Sequence, residues 1–220
     1  MPRSKELSES LSARGLSNSP ALQLGRMPHS DAERHLANLS GLGGDSADCT
    51  QLLWDLRETK SDWEVELGVV IGKVAEHVSE AEALSCIAGY CVANDVSERE
   101  WQQERGGTWC KGKGAPGFGP LGPWLVTADE VPDPQALPIW LKLNGETVQA
   151  STTADMIFSV AEIVSYLSRF VRLVPGDVIV TGTPSGVGLG MKPPRYLKAG
   201  DVVELGIEGL GSQRQDVVAD

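Results

Sequence analysis

The sequence predicts an α+β fold, rich in strands and light in helix. Three observations predict it. From about residue 62 onward, short apolar runs recur between Gly- and Pro-rich punctuation, as at 67–71, 86–93, 139–143, 178–180 and 202–207. Ile139-Trp-Leu-Lys-Leu143 and Glu146-Thr-Val-Gln-Ala150 flank Asn144-Gly145, the dipeptide that suits a two-residue hairpin turn of type I′. One longer stretch alone has helical spacing: Met156, Val160, Ile163, Val164, Leu167 and Val171 would share one face of a helix over about 156–170.

Residues 1–20 hold six serines and few apolar side chains, and read as disordered or frayed. Between 21 and 61, Ala32 to Leu39 reads as a short helix, Gly41-Leu-Gly-Gly as a loop, and Leu52-Leu-Trp54 is the main apolar cluster. The chain therefore divides into an atypical N-terminal segment, 1–61, and a folded domain, 62–220.

That domain is organised around Asp62-Trp-Glu-Val-Glu-Leu-Gly-Val-Val-Ile-Gly72, read as an interior strand. Strand side chains alternate faces, so Glu64 and Glu66 point the same way and Val65 the other. Paired carboxylates on a buried strand repel each other and are costly to desolvate. A divalent cation relieves both costs, and oxygen ligands suit Mg2+, Mn2+ or Ca2+. A solvated strand face bearing two Glu is the plain alternative. A third acid favours the metal: the apolar run 86–93 ends in Asn94-Asp95, which places Asp95 at a strand end facing a cleft. Residues 96–103 then read as one or two helical turns.

Val78 to Ala83 reads as a turn or short helix. Gly112-Lys-Gly-Ala-Pro-Gly-Phe-Gly-Pro-Leu-Gly-Pro123 is too rich in Gly and Pro for regular structure and reads as a shaped loop carrying Lys113. Asp155 or a preceding Thr is the expected cap of the helix. Val178–Val180 is a short buried strand, leading into Thr181-Gly-Thr-Pro-Ser-Gly-Val-Gly188. There Gly182 and Gly186 let backbone N–H groups approach an anion, and Thr183 adds a hydroxyl. No lysine completes a nucleotide-binding loop. Residues 202–207 form a strand, and 209–220 a last strand edge or tail.

The bulk numbers exclude some partners. A net charge of −11 and the lack of a basic stripe argue against nucleic acid. An acidic domain that takes an anionic substrate needs a local positive centre, which a divalent ion supplies. The four cysteines, Cys49, Cys86, Cys91 and Cys110, have no zinc or redox spacing and read as buried free thiols of a reducing, cytoplasmic compartment. No run has the length of a membrane helix, and Arg3 and Lys5 are followed by no apolar core of a signal peptide.

Several stretches, in order, resemble the fumarylacetoacetate hydrolase family. They are Asp62-Trp-Glu-Val-Glu-Leu, Gly89-Tyr-Cys-Val-Ala-Asn-Asp-Val-Ser, Trp109-Cys-Lys-Gly-Lys113, Gly119-Pro-Leu-Gly-Pro, Asn144-Gly-Glu, Pro175-Gly-Asp-Val-Ile, Thr181-Gly-Thr-Pro-Ser-Gly-Val-Gly and Tyr196-Leu-Lys-Ala-Gly-Asp. The resemblance covers about residues 62–211 and implies a mixed β-roll, a homodimer and a metal triad at Glu64, Glu66 and Asp95. It also implies an active-site Lys at Lys113 and substrate-binding side chains at Arg99, Gln102 and Thr183. The implied substrate is a 2-oxo or 2,4-dioxo acid chelating Mg2+ or Mn2+. The implied activity is hydrolysis of a carbon–carbon bond in an acylpyruvate-like substrate. Isomerase or decarboxylase chemistry through a metal-stabilised enolate, or a catalytically impaired paralogue, are the alternatives. Two departures accompany the resemblance. The family's N-terminal His/Glu pair has only His29 and Glu33 as counterparts, with His35 nearby, in a sequence unlike the family's. Gly114 and Gly117 stand where relatives carry hydroxyl side chains.

Overall fold

The computed structural model describes residues 60–107 and 109–218. Two four-stranded sheets form the body of the fold. One has the order β5(Leu121–Thr127)–β3(Ile87–Asn94)–β2(Val65–Ile71)–β8(Val178–Val180). The other has the order β10(Gly211–Asp216)–β9(Val202–Ile207)–β6(Pro138–Leu143)–β7(Glu146–Thr152). A two-stranded ribbon pairs β1(Ser61–Asp62) with β4(Ser97–Glu98). Every pairing among these strands is antiparallel. The helices are short: α1(Glu80–Ala83), α2(Trp109–Lys113) and α3(Val160–Leu167). The α+β class read from the sequence stands.

The sheets pack face to face, with β2 against β6 and β9, and β10 against β3 and β5. Their shared core holds Val65, Leu67, Val69 and Val92 from one sheet and Leu141, Leu143, Val203 and Leu205 from the other. The turn between β6 and β7 has φ of 53° at Asn144 and 81° at Gly145, the left-handed pair that a type I′ turn requires.

Four local expectations are corrected. Lys113 is not in the Gly/Pro loop: it is the last residue of α2, and the irregular stretch begins after it. That stretch is also shorter than expected, because β5 already includes Gly122 and Pro123. As an edge strand, β5 tolerates a residue without an N–H. Residues 97–98 form a strand rather than a helical turn, since their backbone pairs with Ser61–Asp62, and a single π-helical turn follows at Glu100–Glu104. Finally, α3 starts later than expected. Thr152 caps only a 3₁₀ turn at 153–155, and Asp155 accepts a hydrogen bond from Ser151 Oγ at 2.7 Å. Ser159 caps α3 through a reciprocal box with Glu162, at 3.2 and 2.7 Å. Of the cysteines in the described residues, Cys86 and Cys91 are buried as expected, whereas Cys110 on α2 is exposed. Among the described residues no helix is long and apolar enough to cross a membrane.

Candidate active site

The register of β2 on β3 builds the acidic cluster. Val65 lies opposite Asn94, so Glu64, just before β2, meets Asp95, just after β3. The Asp95 amide donates to the Glu64 carbonyl at 2.9 Å. Glu66, one strand period on, projects to the same side as Glu64. Carboxylate oxygens of Glu64, Glu66 and Asp95 all lie within 4.8 Å of one another. Glu64 and Glu66 are buried, and Asp95 is partly so.

Two cations compensate part of this charge. Lys113 Nζ donates to Glu64 Oε2 at 2.6 Å and to the Asp95 carboxylate. Arg99 Nη2 donates to Glu64 Oε1 at 2.6 Å, and its Nε to Asp62 Oδ2 at 2.9 Å. Burial opposes the charge of Lys113 and of Arg99, but the carboxylates around each prevail and hold both pKa values above their ordinary range. Among the described residues no basic side chain pairs with Glu66, whose Oε2 accepts from the Gly182 amide at 2.7 Å. Burial, and next the Asp95 carboxylate, push Glu66 up to about 8. Asp95 is raised too, by burial, with Lys113 offsetting part of the effect.

Three hard oxygen donors, close together, largely buried and only partly compensated by Lys113 and Arg99, fit a divalent cation of the Mg2+ or Mn2+ kind. The donor set contains no thiolate or imidazole, which a softer metal would favour.

Arg99 and Gln102 join the cluster, but with their hydrogen bonds largely committed. The Arg99 guanidinium is shared among Asp62, Glu64 and Gln102, the last at 3.1 Å. Because Gln102 Oε1 accepts from Arg99, its Nε2 is left as the group that can donate onward. Thr183 lies beside Gly182 against β2. Its hydroxyl donates to the Val65 carbonyl at 2.9 Å and accepts from Gln149 Nε2 at 2.8 Å. Gly182 has φ of 99°, a conformation that favours glycine, and this turns its N–H onto Glu66.

Several participants escaped the sequence reading. Asp62 is fully buried and accepts from Arg99 and from the amides of Trp63, Gly188 and Leu189, at 2.6–2.9 Å. A signal for it existed: Asp62 continues the period of two that links Glu64 and Glu66. Asn94 and Gln149, which hold the backbone of Glu64 and Val65, carried no signal of their own. His77 is the one histidine among the described residues. It lines a groove of about 530 Å³ with Ser79, Glu80, Glu82 and Arg169, away from the acidic cluster. His29, Glu33 and His35 lie outside the described residues.

Comparison with known proteins bears on this geometry. The family model described as "Fumarylacetoacetate (FAA) hydrolase C-terminal" matches residues 35–218, starting upstream of the first motif read from the sequence. A Burkholderia multivorans protein whose name proposes a hydrolase and no substrate is 64% identical over 157 residues, 71% of this chain. The chain spans only 56% of that relative's length. A crystal structure of 2-hydroxyhepta-2,4-diene-1,7-dioate isomerase from Mycobacterium marinum is 38% identical, with a TM-score of 0.69 over 80% of this chain and 65% of that one. Fumarylpyruvate hydrolase from Pseudomonas aeruginosa, solved in complex with Mn2+ and pyruvate, is 36% identical, with a TM-score of 0.70 over 78% of this chain and 72% of that one.

Proposed function

This chain belongs to the fumarylacetoacetate hydrolase family, and we propose that it is a metal-dependent hydrolase cleaving a carbon–carbon bond in a 2,4-dioxo acid of the acylpyruvate kind. The observation that carries the reading is the convergence of the Glu64, Glu66 and Asp95 carboxylates beside the Lys113 ammonium. The relative solved with Mn2+ and pyruvate supports both the metal and the substrate class. Glu64, Glu66 and Asp95 hold the cation, Mg2+ or Mn2+. When bound, it supplies Lewis-acid polarisation of the oxygens of a chelating 2-oxo acid.

The chain's own residues do the rest. Lys113 offers an ammonium where negative charge develops on the substrate, and the flanking carboxylates keep it protonated. Gln102 turns its amide N–H groups towards the acid's oxygens, in an orientation that Arg99 imposes. Arg99 acts mainly by holding the Glu64 carboxylate in place. Thr183 borders the substrate space as a hydrogen-bond acceptor, its own proton being engaged with Val65. The protein works as a homodimer, and the exposed apolar side chains Ile157, Phe158, Tyr166 and Phe170 are the surface a second copy would cover.

A second reading, isomerase or decarboxylase action on a 2-oxo acid, is favoured by the structural relative that bears an isomerase name. One experiment separates the readings. The Mg2+- or Mn2+-loaded full chain is incubated with acylpyruvates and with oxaloacetate, following diketone absorbance, released CO2 and keto–enol interconversion. Loss of the diketone with stoichiometric pyruvate supports the hydrolase. CO2 release or tautomerisation without cleavage overturns it in favour of the second reading. No turnover with either substrate, in a protein that still binds metal, marks an impaired paralogue. Glu66→Ala should abolish both metal binding and turnover.

A further inference from the structure

Three buried amide side chains form a one-way hydrogen-bond chain from β10 to the acidic cluster. Gln213 Nε2 donates to the carbonyls of Val92 and Gly122, at 2.8 and 3.0 Å. Gln215 Nε2 donates to Gln213 Oε1 at 2.8 Å. Asn94 Nδ2 donates to Gln215 Oε1 at 2.7 Å, and Asn94 Oδ1 accepts from the Glu64 amide at 3.0 Å. Gln213, Gln215 and Asn94 are all inaccessible or nearly so.

The direction of this chain is determined at its far end. Backbone carbonyls only accept, so Gln213 must turn its NH2 towards Val92 and Gly122. Its oxygen can then only accept from Gln215, whose own oxygen must accept from Asn94. Asn94 is left with its oxygen facing the Glu64 N–H. Flipping any one amide would set oxygen against oxygen, or N–H against N–H, at fully or nearly fully buried side chains. The residue after Asn94 grips the other side of the same peptide: the Asp95 amide donates to the Glu64 carbonyl. Asn94 and Asp95 thus clamp Glu64 through its main chain, and the clamp is braced from the opposite sheet.

We propose that Gln215 and Gln213 are positioning residues for the cation site, setting the spacing of the Glu64 and Asp95 ligands through Asn94. The inference rests on the reading of the cluster as a cation site. It has a consequence that general loss of packing does not share. Mg2+ demands near-ideal octahedral geometry, whereas Ca2+ accepts variable distances and ligand numbers. Loosening the spacing should therefore penalise Mg2+ more than Ca2+.

The test is isothermal titration calorimetry of the full chain with Mg2+ and with Ca2+, alongside thermal melts. Gln215→Met keeps the length of the side chain and removes the relay. It should weaken Mg2+ binding by about tenfold or more, the range seen for groups that orient metal ligands, and Ca2+ binding by clearly less. Ile207→Val, a core change in β9 of the same sheet, should lower the melting temperature and leave both affinities alone. Equal weakening for the two ions, or unchanged affinities in Gln215→Met, overturns the proposal. Where Gln215→Met does not fold, Gln213→Met breaks the chain one link further away and is held to the same outcomes. A parent protein that binds neither ion sinks the cation reading itself, a result seen before any variant is made.

Discussion

Glu66 governs how the site responds to pH. Burial, and then Asp95, push its pKa from 4.5 to about 8. The folded state therefore keeps a proton that the unfolded chain releases. Between these two values the folded state binds more protons, so this contribution to stability is complete below the unfolded value and is lost as pH rises to about 8. The cation-free protein should accordingly melt at lower temperature as pH rises through that window, and Glu66→Gln should flatten the trend. Cation binding must expel the proton. Mg2+ affinity should therefore climb with pH, by up to about tenfold per unit below the Glu66 pKa, with calorimetric heats that depend on the buffer. A pH-independent affinity would contradict the assignment of Glu66 as a ligand. Lys113 behaves differently, because its ammonium lies between the Glu64 and Asp95 carboxylates. Lys113→Met should weaken binding of oxalate, a stand-in for a 2-oxo acid, by about tenfold or more, while divalent-ion affinity holds or rises. Parallel losses would assign Lys113 to the scaffold. The acids themselves were legible, because alternation along a strand puts Glu64 and Glu66 on one side. Asp62 shares that parity, and only the folded chain reveals that it is spent on Arg99 and the Gly188–Leu189 amides.

At the scale of elements, α2 shows how a short helix can be held by one glycine. A Cβ on Gly112 would sit 2.6 Å from Gln102 Cβ and 2.9 Å from the Glu98 carbonyl oxygen. In an open helix Gly→Ala stabilises, but here the methyl would push α2 off the π-helical turn and carry Lys113 away from Glu64. Gly112→Ala should cost about 1–3 kcal/mol by chemical denaturation and weaken oxalate binding along with it. A stabilised variant with intact binding would show that α2 yields freely. Glu98 adds to the same junction: buried, it accepts from the Lys60 and Glu100 amides and from Ser61 Oγ, at 3.0–3.1 Å. The hairpin was readable because Asn-Gly between alternating runs has one good turn type. The start of α3 was missed because Thr152 and Asp155 precede it as capping types and the apolar stripe begins at Met156, although Ser159 with Glu162 three places on is a local capping-box signal.

At the scale of the whole molecule, the two sheets meet through polar as well as apolar contacts. Gln149 on β7 accepts from the Val65 amide at 3.1 Å and donates to Thr183 and the Pro184 carbonyl, tying the second sheet to both sides of the site. The outer surface has its own signal. Tyr166 and Phe170 pack as a tilted pair with ring centroids 5.0 Å apart, and with the exposed Phe158 they fall at four- and eight-residue spacings along the sequence around α3. If these side chains pair two copies, the double variant Tyr166→Glu/Phe170→Glu should shift the protein from dimer to monomer in size-exclusion chromatography with light scattering, leaving the fold intact. A dimer unaffected by both changes would place the interface elsewhere.

What the sequence by itself determined is the set of local rules: strand alternation, the Asn144-Gly145 turn, one amphipathic stripe, and the motifs that carry the family resemblance. These depend on neighbours a few residues away, so they can be read in one dimension. The tertiary structure alone decided which polar groups are already partnered. Arg99 and Thr183 read as side chains free to meet a substrate, yet most of their hydrogen-bonding capacity is taken by Asp62, Glu64, Val65 and Gln149. The partners lie up to 118 residues away along the chain. Buried polar groups must find hydrogen bonds wherever the fold brings them, and no local pattern records that choice.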